Sequence, residues 1–265
     1  MILDRFRLDN KVAVVTGASA GIGRASALAF AEMGAHVVCA ARTPERLEQT
    51  AEQICRLGVR ALAIPCDVNV PAQLENVVAQ TVKEFGRIDI VVNNAGGTPP
   101  TPALDLGLND FEAAFHFNVG SAFLLTRLSV PHMIKDGGTG AVVNITSAMS
   151  HLVDSCFVAY GTAKAGLAHM TRMLAYEFAP RVRVNAIAAG ATETDALLPF
   201  LQASDELRKQ MEALTPMARL GTPEDIALSV LYLASPASSW VTGKIFEIDG
   251  GTIASNWPIK IPTGI

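Results

Sequence analysis

Nowhere is this sequence apolar for anything near the ~18–20 consecutive residues that cross a bilayer, so no spanning helix is expected. Its opening, MILDRFRLDNKVAVV, sets acids and arginines where a secretory signal needs an apolar segment, and a cytoplasmic protein is expected. Cysteine is scarce. Cys39, Cys55, Cys66 and Cys156 make no CxxC pair, which argues against a disulfide framework and predicts free thiols. His36, His116, His132, His151 and His169 are scattered without HExxH spacing, so no metal is expected. Charge is sparse too: 17% of residues are charged and the net charge is −4, with no basic stripe to meet a phosphate backbone. Nucleic acid is therefore excluded as a partner.

Half of the 265 residues are hydrophobic, enough for one large buried core. Short β-branched runs alternate with longer helical patterns. KVAVVT (11–16), HVVCAA (36–41), VRALAIPCD (59–67), IDIVVN (88–93), GAVVNITS (140–147), VRVNAIA (182–188) and KIFEID (244–249) read as strands apolar on both faces, the mark of a parallel sheet covered by helices. Between them, 23–34, 44–58 and 71–86 read as helices, each closed by a glycine. The expected fold is a doubly wound, Rossmann-type α/β domain with a seven-stranded parallel sheet, spanning 1–265 without a linker. Residues 192–222 break the rhythm and read as a helical insertion before a helix opening at Thr222-Pro223-Glu224, while 254–265 read as an extended tail.

The first strand runs into VVTGASAGIGRA, with Gly17, Gly21 and Gly23 between strand and helix. Glycines there allow a tight turn and a close backbone approach to pyrophosphate, which the helix N-terminus attracts. A dinucleotide site is expected, with Ser19, Ala20 and Ile22 in the same loop. The end of the second strand chooses the cofactor: an acid there would bind the ribose diol of NAD. This chain has Ala41 at that position and Arg42 next, whose planar fork suits a 2′-phosphate. NADP(H) is expected, with NAD(H) as the alternative should Arg42 only salt-bridge Glu45.

A tyrosine and a lysine stand four apart in AYGTAKAG (159–166), hence on one helix face. TGASAGIG (16–23), NNAG (93–96), Asn118 in FNVG, Ser147 in NITS and YGTAK (160–164) together, in this order and spacing, resemble the short-chain dehydrogenase/reductase family over nearly the whole chain. The resemblance implies Tyr160 as general acid/base, Ser147 as the group polarising the same substrate oxygen, and Lys164 as nicotinamide-ribose ligand. It implies that Asn118 holds a water in a proton relay behind the lysine. Gly17, Ser19 and Ile22 would surround the phosphates, Asp67 and Val68 the adenine, and Asn94, Ala95 and Gly96 the adenine-side ribose. Gly190, Thr192 and Thr194 would meet the nicotinamide. The family's usual Pro-Gly is Ala189-Gly190 here, which loses a fixed φ but no reactive group. An ammonium about 4 Å from a phenol, at an effective dielectric near 20, contributes about 4 kcal/mol, so a depressed Tyr160 pKa is expected.

The substrate cleft implied by the resemblance is bounded by 97–106, 148–159 and 192–215, the last acting as a lid. Leu104, Met149, Leu152, Val153, Phe157, Leu197, Leu198, Phe200 and Leu201 make it apolar. A ketone or secondary alcohol on a hydrophobic body is expected, hydroxysteroid-like or 3-oxoacyl-like, since NNAGG, GATETDAL and SPASSWVTGK look like bacterial 7α-hydroxysteroid dehydrogenases and the general pattern like 3-oxoacyl-carrier-protein reductases. The helices near 108–132 and 157–178 are apolar on more than one face, and by family analogy a homotetramer is expected. The stretch NWPIKIPTG (256–264) has an alternative place across a neighbouring subunit. Two other readings stand beside the enzyme: a non-catalytic dinucleotide sensor or scaffold, which would lack Tyr160, Lys164 or Ser147, and a lyase or epimerase, which would carry a further sugar-nucleotide domain.

Overall fold

A computed structural model describes residues 1–259 and 261–263. Seven strands form one parallel sheet in the order β3-β2-β1-β4-β5-β6-β7. They are β1 (Val12–Thr16), β2 (His36–Ala41), β3 (Ala61–Pro65), β4 (Ile90–Asn93), β5 (Gly140–Ser147), β6 (Val182–Ala189) and β7 (Ile245–Ile248). Every expected strand is present, the ends of β3, β4 and β7 trimmed by a residue or two where backbone pairing stops.

Strand residues alternate between faces, and both faces are covered. Ala13 and Val15 of β1 join a core with Phe30, Leu47, Ile54, Ile226 and Val230. Those belong to α1 (Gly21–Glu32), α2 (Pro44–Arg56) and α9 (Pro223–Ala234). Val14 faces the other way, into a core with Leu74, Val77, Leu125 and Leu174. That side is covered by α3 (Pro71–Phe85), α5 (Ser121–Met133) and α6 (Val158–Phe178). The period of two in the strands thus sends alternate side chains to two separate cores.

After β3 the chain returns to pair β4 with β1, so the strand order reverses between those two strands. The crevice beyond their carboxyl ends is where such sheets hold ligands. The expected insertion, 192–222, contains two short helices, α7 (Leu198–Ala203) and α8 (Asp205–Ala213). Leu201, Leu207, Met211 and Leu220 form a small core of their own there, against which Trp257 and Ile259 of the tail pack. The described part of the tail therefore folds onto its own chain; Lys260, Gly264 and Ile265 lie outside the described residues.

Candidate active site

A cleft of about 760 Å³ opens at the carboxyl ends of the strands, lined from Gly17 and Arg42 at one end to Phe200 and Trp257 at the other. The glycine loop forms its floor. Gly17 has φ +66°, a conformation that side chains disfavour. Gly23 is not at the surface of the cleft. A Cβ on it would lie 2.3 Å from the Gly17 carbonyl oxygen, so this glycine serves the approach of α1 to the loop, not ligand contact. Ser19, Ala20, Gly21 and Ile22 line the cleft, and Ala20 caps α1 without any side-chain hydrogen bond. The first amides of α1 are thus left for an anion, as a pyrophosphate requires.

The loop after β4 is tied to this floor. Thr16 Oγ1 accepts from the amides of Asn94 (3.0 Å) and Ala95 (3.1 Å), and Asn94 Nδ2 donates to Thr16 O at 2.9 Å. Asn94, Ala95 and Gly96 line the cleft, but the Asn94 amide is spent on the protein backbone. Asp67 and Val68 line it after β3, joined by Cys66, whose thiol burial pushes up to about 11. Arg42 lines the cleft, is exposed, and makes no ion pair among the described residues, so the alternative pairing with Glu45 is not formed. Its neighbour Arg46 instead bridges to Asp195 at 2.5 Å.

Ser147, Tyr160 and Lys164 all line the same cleft. Ser147 ends β5, where its Oγ accepts from the Met149 amide at 3.2 Å. Tyr160 and Lys164 occupy successive turns of α6, whose backbone is fixed at Lys164 by a bond from Thr146 Oγ1 (2.8 Å). Lys164 is only 3% exposed and donates from Nζ to Ile145 O at 2.9 Å. Its ammonium lies 5.7 Å from the centre of the Tyr160 ring.

Asn118 is buried behind the lysine, within a π-helical turn, His116–Gly120, that joins α4 (Leu108–Phe115) to α5. Such turns recur at functional sites because the extra residue redirects a side chain. Here Asn118 accepts from Gly97 N at 2.9 Å and donates to Gly97 O at 3.1 Å, clamping the loop after β4. A Cβ on Gly96 would sit 2.7 Å from Asn118 Oδ1 and 2.8 Å from Lys164 Nζ. Both polar groups therefore converge on one glycine.

One expectation is overturned in direction. Burial raises the Tyr160 pKa, the Ser147 hydroxyl opposing it by a hydrogen bond, and burial lowers Lys164 to about 8. Removing the charged form from water is the first cause for both groups. The phenol is held in its protonated form.

The loop after β6 packs closely on the chain after β7 without the usual proline. A Cβ at Gly190 would lie 2.5 Å from Asp249 Cα, and Gly190 N donates to Ile248 O at 3.0 Å. Thr192 Oγ1 donates back to Gly190 O, and Gly190, Thr192 and Thr194 all line the cleft.

Of the apolar residues expected at the substrate end, Met149, Leu152, Phe157, Leu197 and Phe200 line the cleft. Leu104, Val153, Leu198 and Leu201 do not. Leu104 and Val153 are 73% and 88% exposed, and Leu201 is consumed by the small core of the insertion. Pro99, Pro100 and Met211 line the cleft from within the expected bounding segments, whereas sequence reasoning missed Thr252 and the tail residues Ser255, Asn256 and Trp257. A tryptophan in an otherwise featureless tail was the available signal. His151 lies outside the cleft lining, its Nε2 3.8 Å from Glu247 Oε1; with Asp249 these form a three-residue cluster, two members of which are exposed.

Comparison with known proteins matches residues 17–252 to a family described as enoyl-(acyl carrier protein) reductase. An oxidoreductase of Mycobacterium tuberculosis is 51% identical over 262 residues, covering 99% of each chain. The 7α-hydroxysteroid dehydrogenase of Escherichia coli K12 is 39% identical over 251 residues, covering 94% of this chain and 97% of its own. A solved 7α-hydroxysteroid dehydrogenase, complexed with NADH and 7-oxo glycochenodeoxycholic acid, superposes with a TM-score of 0.91 at 38% identity, covering 96% and 98%.

Proposed function

The chain belongs to the short-chain dehydrogenase/reductase family, and from that premise we propose that it interconverts a ketone and a secondary alcohol on a hydrophobic substrate, using NADP(H). The observation that carries this reading is the convergence of Ser147, Tyr160 and a buried Lys164 on one cleft beside an uncapped helix N-terminus.

The residues present fit a dinucleotide. Gly17, Ser19, Ala20, Gly21 and Ile22 would hold its phosphates, Asp67 and Val68 its adenine, and Asn94, Ala95 and Gly96 the adjoining ribose. Gly190, Thr192 and Thr194 would hold the nicotinamide, and Lys164 its ribose. Arg42, beside Ala41 and unpaired with any acid among the described residues, would take a 2′-phosphate. The solved relative holds NADH; the assignment of NADP(H) to this chain rests on Ala41 and Arg42. When bound, the nicotinamide supplies a hydride to the carbonyl carbon, or removes it from the alcohol.

The protein's own groups handle the proton. In reduction the Tyr160 hydroxyl donates to the substrate oxygen as the C=O bond becomes C–OH, and Ser147 Oγ hydrogen-bonds the same oxygen. A phenol is protonated at neutral pH, the form that reduction needs, and burial shifts Tyr160 further in that direction. Asn118 and Lys164, meeting at Gly96, would return a proton to the phenol through a held water. Residues 192–222 would close over the substrate as a lid. The non-catalytic sensor reading loses its ground, since all three reactive groups are retained and grouped.

Tyr160→Phe is the test. Its kcat/KM for a hydrophobic ketone should fall about 10²–10⁴-fold, the usual worth of a positioned acid, with the NADPH dissociation constant changed by less than about threefold. A variant keeping more than about a tenth of wild-type turnover would remove the phenol from the chemistry.

A further inference from the structure

Three rings from three separate segments continue the wall that begins at Tyr160. The Phe157 ring centroid lies 6.3 Å from that of Tyr160. Trp257, from the tail, meets Phe157 edge-to-face at 6.2 Å and 89°. Phe200, from α7, meets Trp257 at 5.6 Å and 79°. All three line the cleft, and Trp257 is anchored from behind in the apolar cluster of Leu201, Leu207, Met211 and Leu220. Asn256, next to it, donates from Nδ2 to Thr215 Oγ1 at 2.9 Å, pinning the tail to the segment after α8. The Trp257 Nε1 is buried with no hydrogen-bond partner among the described residues. Its indole is therefore held by shape and ring contact, not by polar bonds.

Building on the carbonyl chemistry proposed above, we infer that Trp257 is a specificity-determining residue, the end wall that selects a ketone carried on a compact fused-ring body over one carried on a linear alkyl chain. A carbonyl held at Tyr160 projects its apolar body along these rings and reaches Trp257 in two ring-to-ring steps, with Phe200 flanking the indole beyond. Flat rings meet aromatic edges and faces over a wide area. They also lose no internal rotation when held, whereas a linear chain gives up rotor freedom for every bond it fixes against the wall. Trp257 stands nearly perpendicular to Phe157 and Phe200, making a corner that a rigid body fills and that a long chain must bend to avoid.

The experiment compares two ketones of ten carbons, trans-1-decalone and 2-decanone, in the wild type, Trp257→Ala and Trp257→Phe. In Trp257→Ala, kcat/KM for the decalone should fall at least about tenfold, mainly through KM, while 2-decanone changes less than about threefold. Trp257→Phe should restore most of the decalone activity. Equal losses on both ketones, with no rescue by phenylalanine, overturn the inference. The protein has two tryptophans, and the other, Trp240, is fully exposed. Trp240→Phe therefore leaves Trp257 as the only indole reporter. Saturated with NADP⁺, which prevents ketone turnover, that variant should change its emission on adding decalone and not on adding 2-decanone. An emission response without turnover of any ketone in the presence of NADPH keeps the end wall and removes the carbonyl chemistry. Turnover of decalone without an emission response does the reverse.

Discussion

At the scale of single residues the site turns on where charge is tolerated. Lys164 is buried with one carbonyl, Ile145 O, as its hydrogen-bond partner, and burial drives it towards neutrality. An arithmetic of two charges in isolation predicts a depressed phenol; the desolvation of both groups reverses that direction. Arg42 is the opposite case, an exposed guanidinium with no acid engaged among the described residues. Arg42→Ala should raise KM for NADPH by about 10–100-fold, as charge-assisted hydrogen bonds of about 1.5–3 kcal/mol are lost, and leave KM for NADH nearly unchanged. Steady-state kinetics with both cofactors checks this, and an unchanged NADPH:NADH ratio would assign the 2′-phosphate elsewhere. The motif spacing made Tyr160, Lys164, Ser147 and Arg42 readable as site residues. The pKa directions were not readable, because burial is a property of what packs around a group.

At the scale of elements, boundaries follow local chemistry closely. Gly86 ends α3 in the left-handed region, and Pro44, Pro71 and Pro223 stand in the first turns of α2, α3 and α9. The α9 start is a reciprocal cap: Thr222 Oγ1 accepts from Asp225 N at 3.3 Å, and Asp225 Oδ2 accepts from Thr222 N at 2.8 Å. Arg219 also bonds Asp225 and holds its carboxyl down to about 2. Thr222→Ala should cost about 1 kcal/mol and lower Tm by about 2–4 °C in differential scanning calorimetry. No change would mean that packing of α9 on α1 alone sets that boundary. The π-helical turn around Asn118 escaped the sequence pattern. A helical periodicity near 108–132 continues smoothly through it, and only the meeting of Asn118 with the Gly97 backbone explains the extra residue.

At the scale of the whole molecule, apolar side chains are exposed in several places, and two of these regions lie on helices. Leu108, Phe115, Phe123, Met173 and Tyr176 are exposed along α4–α6, and Leu228 and Trp240 are exposed on and just after α9. Two such regions on a single chain suit two different two-fold contacts, the requirement for a tetramer with D2 symmetry. Light scattering should give a mass four times that of one chain, and Tyr176→Glu should reduce it to that of a dimer. A monomeric mass for the wild type would leave both regions without a role.

Alternation of apolar residues, glycines at turns and prolines at helix starts are local signals, and through them the sequence alone determined the seven strands, their helical cover and the nucleotide loop. The Ser147, Tyr160 and Lys164 set that lines the cleft was legible for the same reason, since a helix turn and a strand end fix its spacing. Only the tertiary structure decided which apolar residues line the cleft. Leu201 turned inward to fill the core of the insertion, Leu104 and Val153 turned to solvent, and Trp257 came from more than ninety positions away to close the wall begun by Tyr160. Contacts between distant segments depend on how the layers stack, and no window of sequence carries that information.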